Sequence, residues 1–243
     1  MRKHYTTGIE TKRKIIATAA DLFHKQGVHL TSPDEIIEAS GTGKGQFYHY
    51  FKNKQGLVHE VLLTHLEMIK SGQSPVSYDV NSWEELRDCF LTHIELQKRF
   101  DMTRGCPIGT VGNEVTERDE LIRQDVNLIF QVIKNKFAAF FIREKAKGNL
   151  RSDTDEEQLA NFCLATLQGA MMLGKVQRSS QPVEITIREA LKHIERYLTA
   201  EGMLDSKAAA QSTQQQTVAH GRKQTKPGKR DSHLTAASKR KRL

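Results

Sequence analysis

The stretch Gly43-Lys44-Gly45-Gln46-Phe47-Tyr48-His49-Tyr50-Phe51 decides how the rest of the chain is read. It opens on a lysine between two glycines and runs into three polar aromatics in succession, Tyr48, His49 and Tyr50. So short a helix cannot stand alone, and buried it would turn phenol and imidazole tips toward a core that cannot satisfy them. Laid against a polyanion it would use them, because such groups reach phosphate oxygens and base edges. The run reads as a recognition helix.

The flanks agree. Upstream, Ile15, Ala19, Leu22 and Phe23 predict a helix over 10–26, closed by Gly27. Ser32-Pro33-Asp34-Glu35 supplies an N-cap, a proline at the first helical position and a capping box for a short helix to about Ser40. Gly41-Thr42-Gly43 turns the chain into the recognition helix. Asn53 then caps a longer helix through Leu57, Val61, Leu62, Leu66 and Ile69. Two short helices joined by a tight glycine turn and braced by a longer one make a helix-turn-helix over about 32–51, within an N-terminal domain of residues 1–72. Ser71 to Asn81, with Gly72 and Pro75, forms the junction to a second domain, 73–204.

In that domain every segment has helical spacing: 83–102, a brief helix after Pro107, 118–147, 155–177 and 184–199. No stretch alternates with period two, so the fold class is all-α. The 155–177 segment is apolar or small all round (Leu159, Ala160, Phe162, Cys163, Leu167, Gly169 to Leu173, Val176) and must be buried on two sides. After about Met203 the pattern stops, and 205–243 reads as a basic, disordered tail.

Charge is divided unevenly. The net charge is +8, and residues 205–243 hold ten Lys/Arg against two acids, which accounts for all of it. The 204 residues before the tail hold 27 basic and 27 acidic side chains. Within them residues 1–60 carry an excess of three positive charges, so affinity for nucleic acid is expected at the two ends and not in the middle. No apolar run is long enough for a membrane span or a signal peptide. Three widely spaced cysteines suit a reducing cytosol, so a cytoplasmic protein, nucleoid-associated when bound to DNA, is expected.

Ile15 to Leu57, from Ile-Ile-Ala-Thr-Ala-Ala-Asp-Leu-Phe-His-Lys-Gln-Gly to Gly-Lys-Gly-Gln-Phe-Tyr-His-Tyr-Phe-Lys-Asn-Lys-Gln-Gly-Leu, resembles the DNA-binding domain of the TetR family of transcriptional repressors. The resemblance implies a homodimer on a palindromic double-stranded operator, each chain carrying a helical ligand-sensing and dimerisation domain. Helices 155–177 and 184–199 would then build a four-helix dimer interface. Thr42 stands where the family usually has an apolar residue, and Gly43 where Ser or Thr often caps the recognition helix; glycine tolerates that cap at a cost of a few tenths of a kcal/mol.

Site roles follow residue by residue. Lys44, Gly45 and Gln46 open the recognition helix, with Gln46 suited to adenine and Lys44 to guanine or phosphate. Tyr48 matches the family's phosphate-binding tyrosine. His49 and Tyr50 would read a base edge or phosphate, and Lys54 would grip the backbone. Thr31 or Ser32 would donate to a phosphate or serve only as caps. Phe47, Phe51, Ile36 and Ile37 read as core.

In the second domain Cys106, in Arg104-Gly105-Cys106-Pro107, falls at the N-cap of the helix that Pro107 opens. A helix N-terminus and a nearby cation, Lys175, would lower its pKa and make the thiol reactive toward oxidants and electrophiles. This pairing is similar to the NemR-type electrophile- and oxidant-sensing branch of the family. The plainer reading makes Cys106 inert packing and Lys175 a surface or interface charge. Alternatively, Phe90, His93, Gln97, Met102, Phe137, Met171 and Met172 would line a pocket for a small apolar or aromatic effector. Cys106 with His93 suggests an enzyme only weakly, since no orienting motif, metal-ligand spacing or phosphate loop accompanies them; no cofactor or metal is expected. The remaining alternative is a sequence-neutral, nucleoid-type DNA binder driven by the tail.

Overall fold

Caps and turn residues set the first four helices. α1 spans Arg2–Gln26, α2 Pro33–Ser40, α3 Lys44–Phe51 and α4 Lys54–Lys70. These come from a computed structural model, which describes residues 2–207, with side-chain burial from Gly8 onward. α1 starts eight residues earlier than its apolar periodicity predicts. Gly27, at φ +88°, ends it with an N–H to Phe23 O at 2.9 Å.

Ser32 caps α2 by accepting the Glu35 N–H at 3.1 Å, but the expected capping box does not close. The Glu35 carboxylate instead accepts from Gln26 Nε2 at 3.0 Å, which ties α2 to the end of α1. Asn53 Oδ1 accepts the Gly56 N–H at 2.8 Å and caps α4. Gly56 is required there, because a Cβ would collide with the Phe51 carbonyl oxygen where α3 runs into α4.

Five further helices follow: α5 Trp83–Arg99, α6 Pro107–Gly112, α7 Glu120–Ala146, α8 Glu156–Gln177 and α9 Gln181–Glu195. α5 stops three residues short of the expected end because Asp101 and Met102 enter the left-handed region (φ +49° and +54°). α9 begins three residues early, with Pro182 in its first turn. A last helical stretch, 200–207, packs back on the body: Asn149 Nδ2 donates to Asp205 Oδ2 at 3.1 Å. The first residues of the expected tail are thus folded, and 208–243 lies outside the described residues. Among the described residues the architecture is all helix apart from one isolated bridge, Leu150 to Leu198.

The expected junction is a packed strap. Val76 and Val80 are buried, Tyr78 Oη meets His93 Nε2 at 3.1 Å, and Lys136 pairs with Asp79. One continuous core results, running from Ile15 through Phe47, Phe90, Phe137 and Phe140 to Leu198. α4 lies against α7, α1 against α6, and α7, α8 and α9 stack side by side.

Candidate nucleic-acid interface and effector pocket

α3 stands on two aromatic anchors. Phe47 and Phe51 are buried against each other at 5.7 Å between ring centroids, while Lys44, Gly45, Gln46, Tyr48 and His49 face water. Spacing explains the split, since 47 and 51 fall four residues apart on one face of the helix. Among the described residues, no atom beyond α3's own backbone and the chain neighbours lies within 4 Å of where a Cβ on Gly45 would sit, so the start of α3 offers a clear surface. Lys44 Nζ lies 3.3 Å from Asp34 Oδ1 of α2, both largely exposed. Such a pair is weak in water and yields readily to a phosphate.

Gln46 has a second task. Its Oε1 accepts the Gly43 N–H at 2.9 Å, the reciprocal half of a capping box whose forward half glycine cannot make. The side-chain NH2 remains available to a base; an adenine bidentate contact would require that cap to open.

Three of the expected contact residues are engaged inside the protein. Thr31 is fully buried, and its hydroxyl donates to Gly27 O at 2.7 Å, so it cannot reach a phosphate. Lys54 Nζ donates to Val28 O at 2.9 Å and Thr31 O at 3.2 Å, pinning the α1–α2 loop to the start of α4. Backbone carbonyls leave bare by the turn attract its ammonium. Tyr50 is half-buried, its hydroxyl turned back beside Gly8 of α1. Ser32 remains exposed, and with its oxygen accepting from Glu35 its hydroxyl hydrogen is free to donate outward.

In the body, Cys106 and Lys175 both line a cavity of about 210 Å³ whose walls also include Gly109, Gln168, Met172 and Val176. Cys106 is the N-cap of α6, as expected. Its pKa moves the other way: burial pushes the thiol up, and the Gly109 N–H, the Gln168 amide and the Ile108 N–H only partly offset this. A thiol protonated at rest is the result, held where three hydrogen-bond donors would stabilise a thiolate once formed. Cys89 and Cys163 are buried deeper, and burial pushes Cys89 up to about 12. They are inert core residues.

Of the seven residues expected to line an apolar pocket, only Met172 lines this cavity. Phe90, His93, Gln97, Met102, Phe137 and Met171 are packed into the core. His93 Nδ1 donates to Cys89 O at 2.7 Å, so Nε2 accepts from Tyr78, and burial holds the imidazole pKa down at about 4. Gln97 Nε2 donates to Gly105 O at 3.1 Å while its Oε1 is buried without a partner among the described residues. The cavity's Gln168 and Glu114 carry no sequence signal: one is a polar residue in an apolar helix, the other lies in a patternless loop.

Comparison with known proteins agrees with this geometry. Residues 15–61 match the family described as bacterial regulatory proteins, tetR family, and residues 83–190 match the tetracyclin repressor-like C-terminal domain. The transcriptional repressor DhaR of Mycobacterium sp. (strain GP1) is 24% identical over 175 residues, covering 71% of this chain and 86% of DhaR. Among solved structures, the reduced form of E. coli NemR aligns with a TM-score of 0.60 at 20% identity, covering 78% of this chain and 97% of NemR. A cysteine-substituted CifR solved with 26-bp double-strand operator DNA aligns with a TM-score of 0.60 at 24% identity, covering 73% of this chain and 94% of CifR.

Proposed function

The chain belongs to the TetR family of transcriptional regulators, DNA-binding proteins rather than enzymes, and from that premise we propose that it is a homodimeric repressor of a palindromic operator, released through the Cys106 cavity. The observation that carries the reading is α3: two buried phenylalanines fix a helix whose remaining face presents Lys44, Gln46, Tyr48 and His49 to solvent. Lys44 and Tyr48 hold phosphates, Ser32 adds a contact from α2, and Gln46 and His49 face base edges.

A single eight-residue helix reads too few bases for a regulator, so a second copy completes the site. α8 and α9 supply the surface for it. Met172, Leu173 and Val176 on α8 and Ile185 on α9 are apolar and exposed. Pairing them across a two-fold axis sets the two α3 helices about one DNA turn, roughly 34–36 Å, apart. The protein then works in the cytoplasm, on the nucleoid when bound.

Release is assigned to the Cys106 cavity because it brings together a thiol with waiting donors and the ammonium of Lys175. A small electrophile or oxidant entering there modifies Cys106 and shifts the dimer toward a spacing that does not fit the operator. Selection of bound sequences from a random DNA pool tests the operator: a palindrome should emerge and hold its advantage as salt rises. Equal recovery of all sequences, with affinity lost uniformly in salt, would instead establish a sequence-neutral binder driven by the basic tail. Oxidant treatment tests the sensor, since Cys106→Ser should stay on the operator where the unaltered protein leaves it.

A further inference from the structure

Glu114, in the turn after α6, stands in the wall of two cavities. One is the Cys106 cavity. The other, about 120 Å³, opens between the helix-turn-helix and the body, where Val28, His29, Lys54 and Val58 face Val111 and Ile122. Between the two, the Glu114 side chain reaches across to the α1–α2 loop. Its Oε2 accepts the His29 N–H at 2.7 Å, and its backbone carbonyl oxygen lies 3.2 Å from His29 Nε2. The carboxylate fits against Gly27, where a Cβ would collide with Glu114 Oε1.

Other polar links between the two regions hold helix shafts. Arg104 donates to Asp21 at 2.6 Å and His24 meets Gly105 O at 2.7 Å on α1, while His59 meets Asp125 at 2.6 Å on α4. Glu114 grips the loop itself. The same loop takes Lys54 on Val28 O and Thr31 O, and it delivers the chain to Ser32, the cap of α2. Where this loop sits decides where α2 and then α3 sit.

We propose that Glu114 is the positioning residue through which occupancy of the Cys106 cavity reaches the operator-reading helices. The link to Cys106 rests on the sensor reading above. The hold on the loop does not. A group attached to Cys106 takes up cavity space that Thr110, Asn113 and Glu114 border. Glu114 swings away, the His29 N–H loses a charged acceptor, and the loop carries α2 and α3 out of register with the groove.

The test measures operator affinity by fluorescence anisotropy for the full-length protein, Glu114→Ala and Glu114→Gln. Each is measured before and after N-ethylmaleimide, with the adduct located by mass spectrometry and Cys106→Ser as the unreactive control. In that reaction the Cys106 sulfur adds across the maleimide double bond, an S–C bond forms, and the thiol proton ends on the neighbouring carbon. Unmodified Glu114→Ala should bind the operator about tenfold more weakly, and Glu114→Gln about threefold, because an amide oxygen still accepts from His29 without the charge. Alkylation should bring the unaltered protein down to the Glu114→Ala level and move Glu114→Ala no further. Hydrogen exchange at the His29 amide should accelerate equally in both.

If unmodified Glu114→Ala binds like the unaltered protein, Glu114 has no positioning role. Alkylation that releases Glu114→Ala by the same further factor would overturn the coupling. A complete Cys106 adduct on the unaltered protein with full operator affinity would overturn the sensor reading instead, a result separate from the Glu114→Ala measurement.

Discussion

α3 buries Phe47 and Phe51 and leaves Lys44, Gln46, Tyr48 and His49 in water, whereas α8 buries Leu159, Cys163, Leu167 and Met171 and leaves Met172, Leu173 and Val176 there. Both helices are anchored on one side and open on the other, with opposite chemistry. Water solvates the open face of α3 well, so nothing forces a partner onto it; under the proposed function DNA would bind there only by offering better-placed acceptors. The open face of α8 is different, with Met172 51% and Val176 74% exposed. Each Å² of such surface left in water costs about 25 cal/mol, which drives association with another apolar face. One face suits selective contact, the other cover by a second apolar face.

The comparison breaks hardest at the anchors. Phe47→Ala removes a fully buried ring under α3 and should lower folding stability by about 3–5 kcal/mol in urea denaturation. A loss under about 1 kcal/mol would mean that α3 is not held by its aromatic side. Acid probes the interior behind α8. Burial holds the His93 imidazole neutral, its pKa about 4 against 6.5 in an unfolded chain. The unfolded state then binds more protons between those values, so this contribution is complete above pH 6.5 and lost as pH falls toward 4, by about 3 kcal/mol in full. Urea midpoints at pH 7.5 and pH 5 should show the loss. His93→Gln should remove this contribution and leave the similar one from His65, which burial also holds at about 4.

Leu173→Glu sharpens the contrast from the other side. Placing a charge on the open apolar face should give a monomer by light scattering and weaken operator binding about a hundredfold, with the fold intact. A dimer that survives it would move the interface elsewhere. The smallest effect is expected on α3. Tyr48→Phe removes one hydrogen bond to phosphate and should weaken binding about tenfold on operator and random DNA alike. A loss confined to the operator would make Tyr48 a base reader.

Much of this was legible because caps and periodicity are local. Ser32, Pro33, Gly41 and Asn53 mark the helix-turn-helix by backbone chemistry that tertiary context does not change. Phe47 and Phe51 are assigned to the core by spacing alone. The failures are equally specific. Thr31 and Lys54 look like phosphate ligands by residue type, and only the folded loop shows the carbonyls of Gly27, Val28 and Thr31 that occupy them. His93 and Gln97 look like pocket polarity, yet their partners Tyr78, Cys89 and Gly105 lie on the strap, on the preceding turn and on the next loop. The Cys106 pKa was expected to fall because the helix N-terminus is visible in the sequence. The burial that outweighs it is not.

The sequence by itself determined the helices, the helix-turn-helix and the face of α3 that is left open to solvent, since each follows from hydrogen-bond caps and side-chain period within a few residues. It also brought Cys106 and Lys175 forward as a pair. Only the tertiary structure decided that Lys54 and Thr31 serve the loop, that Cys106 rests protonated, and that Glu114 lies between the cavity and His29. Those facts depend on which distant segments pack together, and burial and long-range contact leave no periodic trace in the chain.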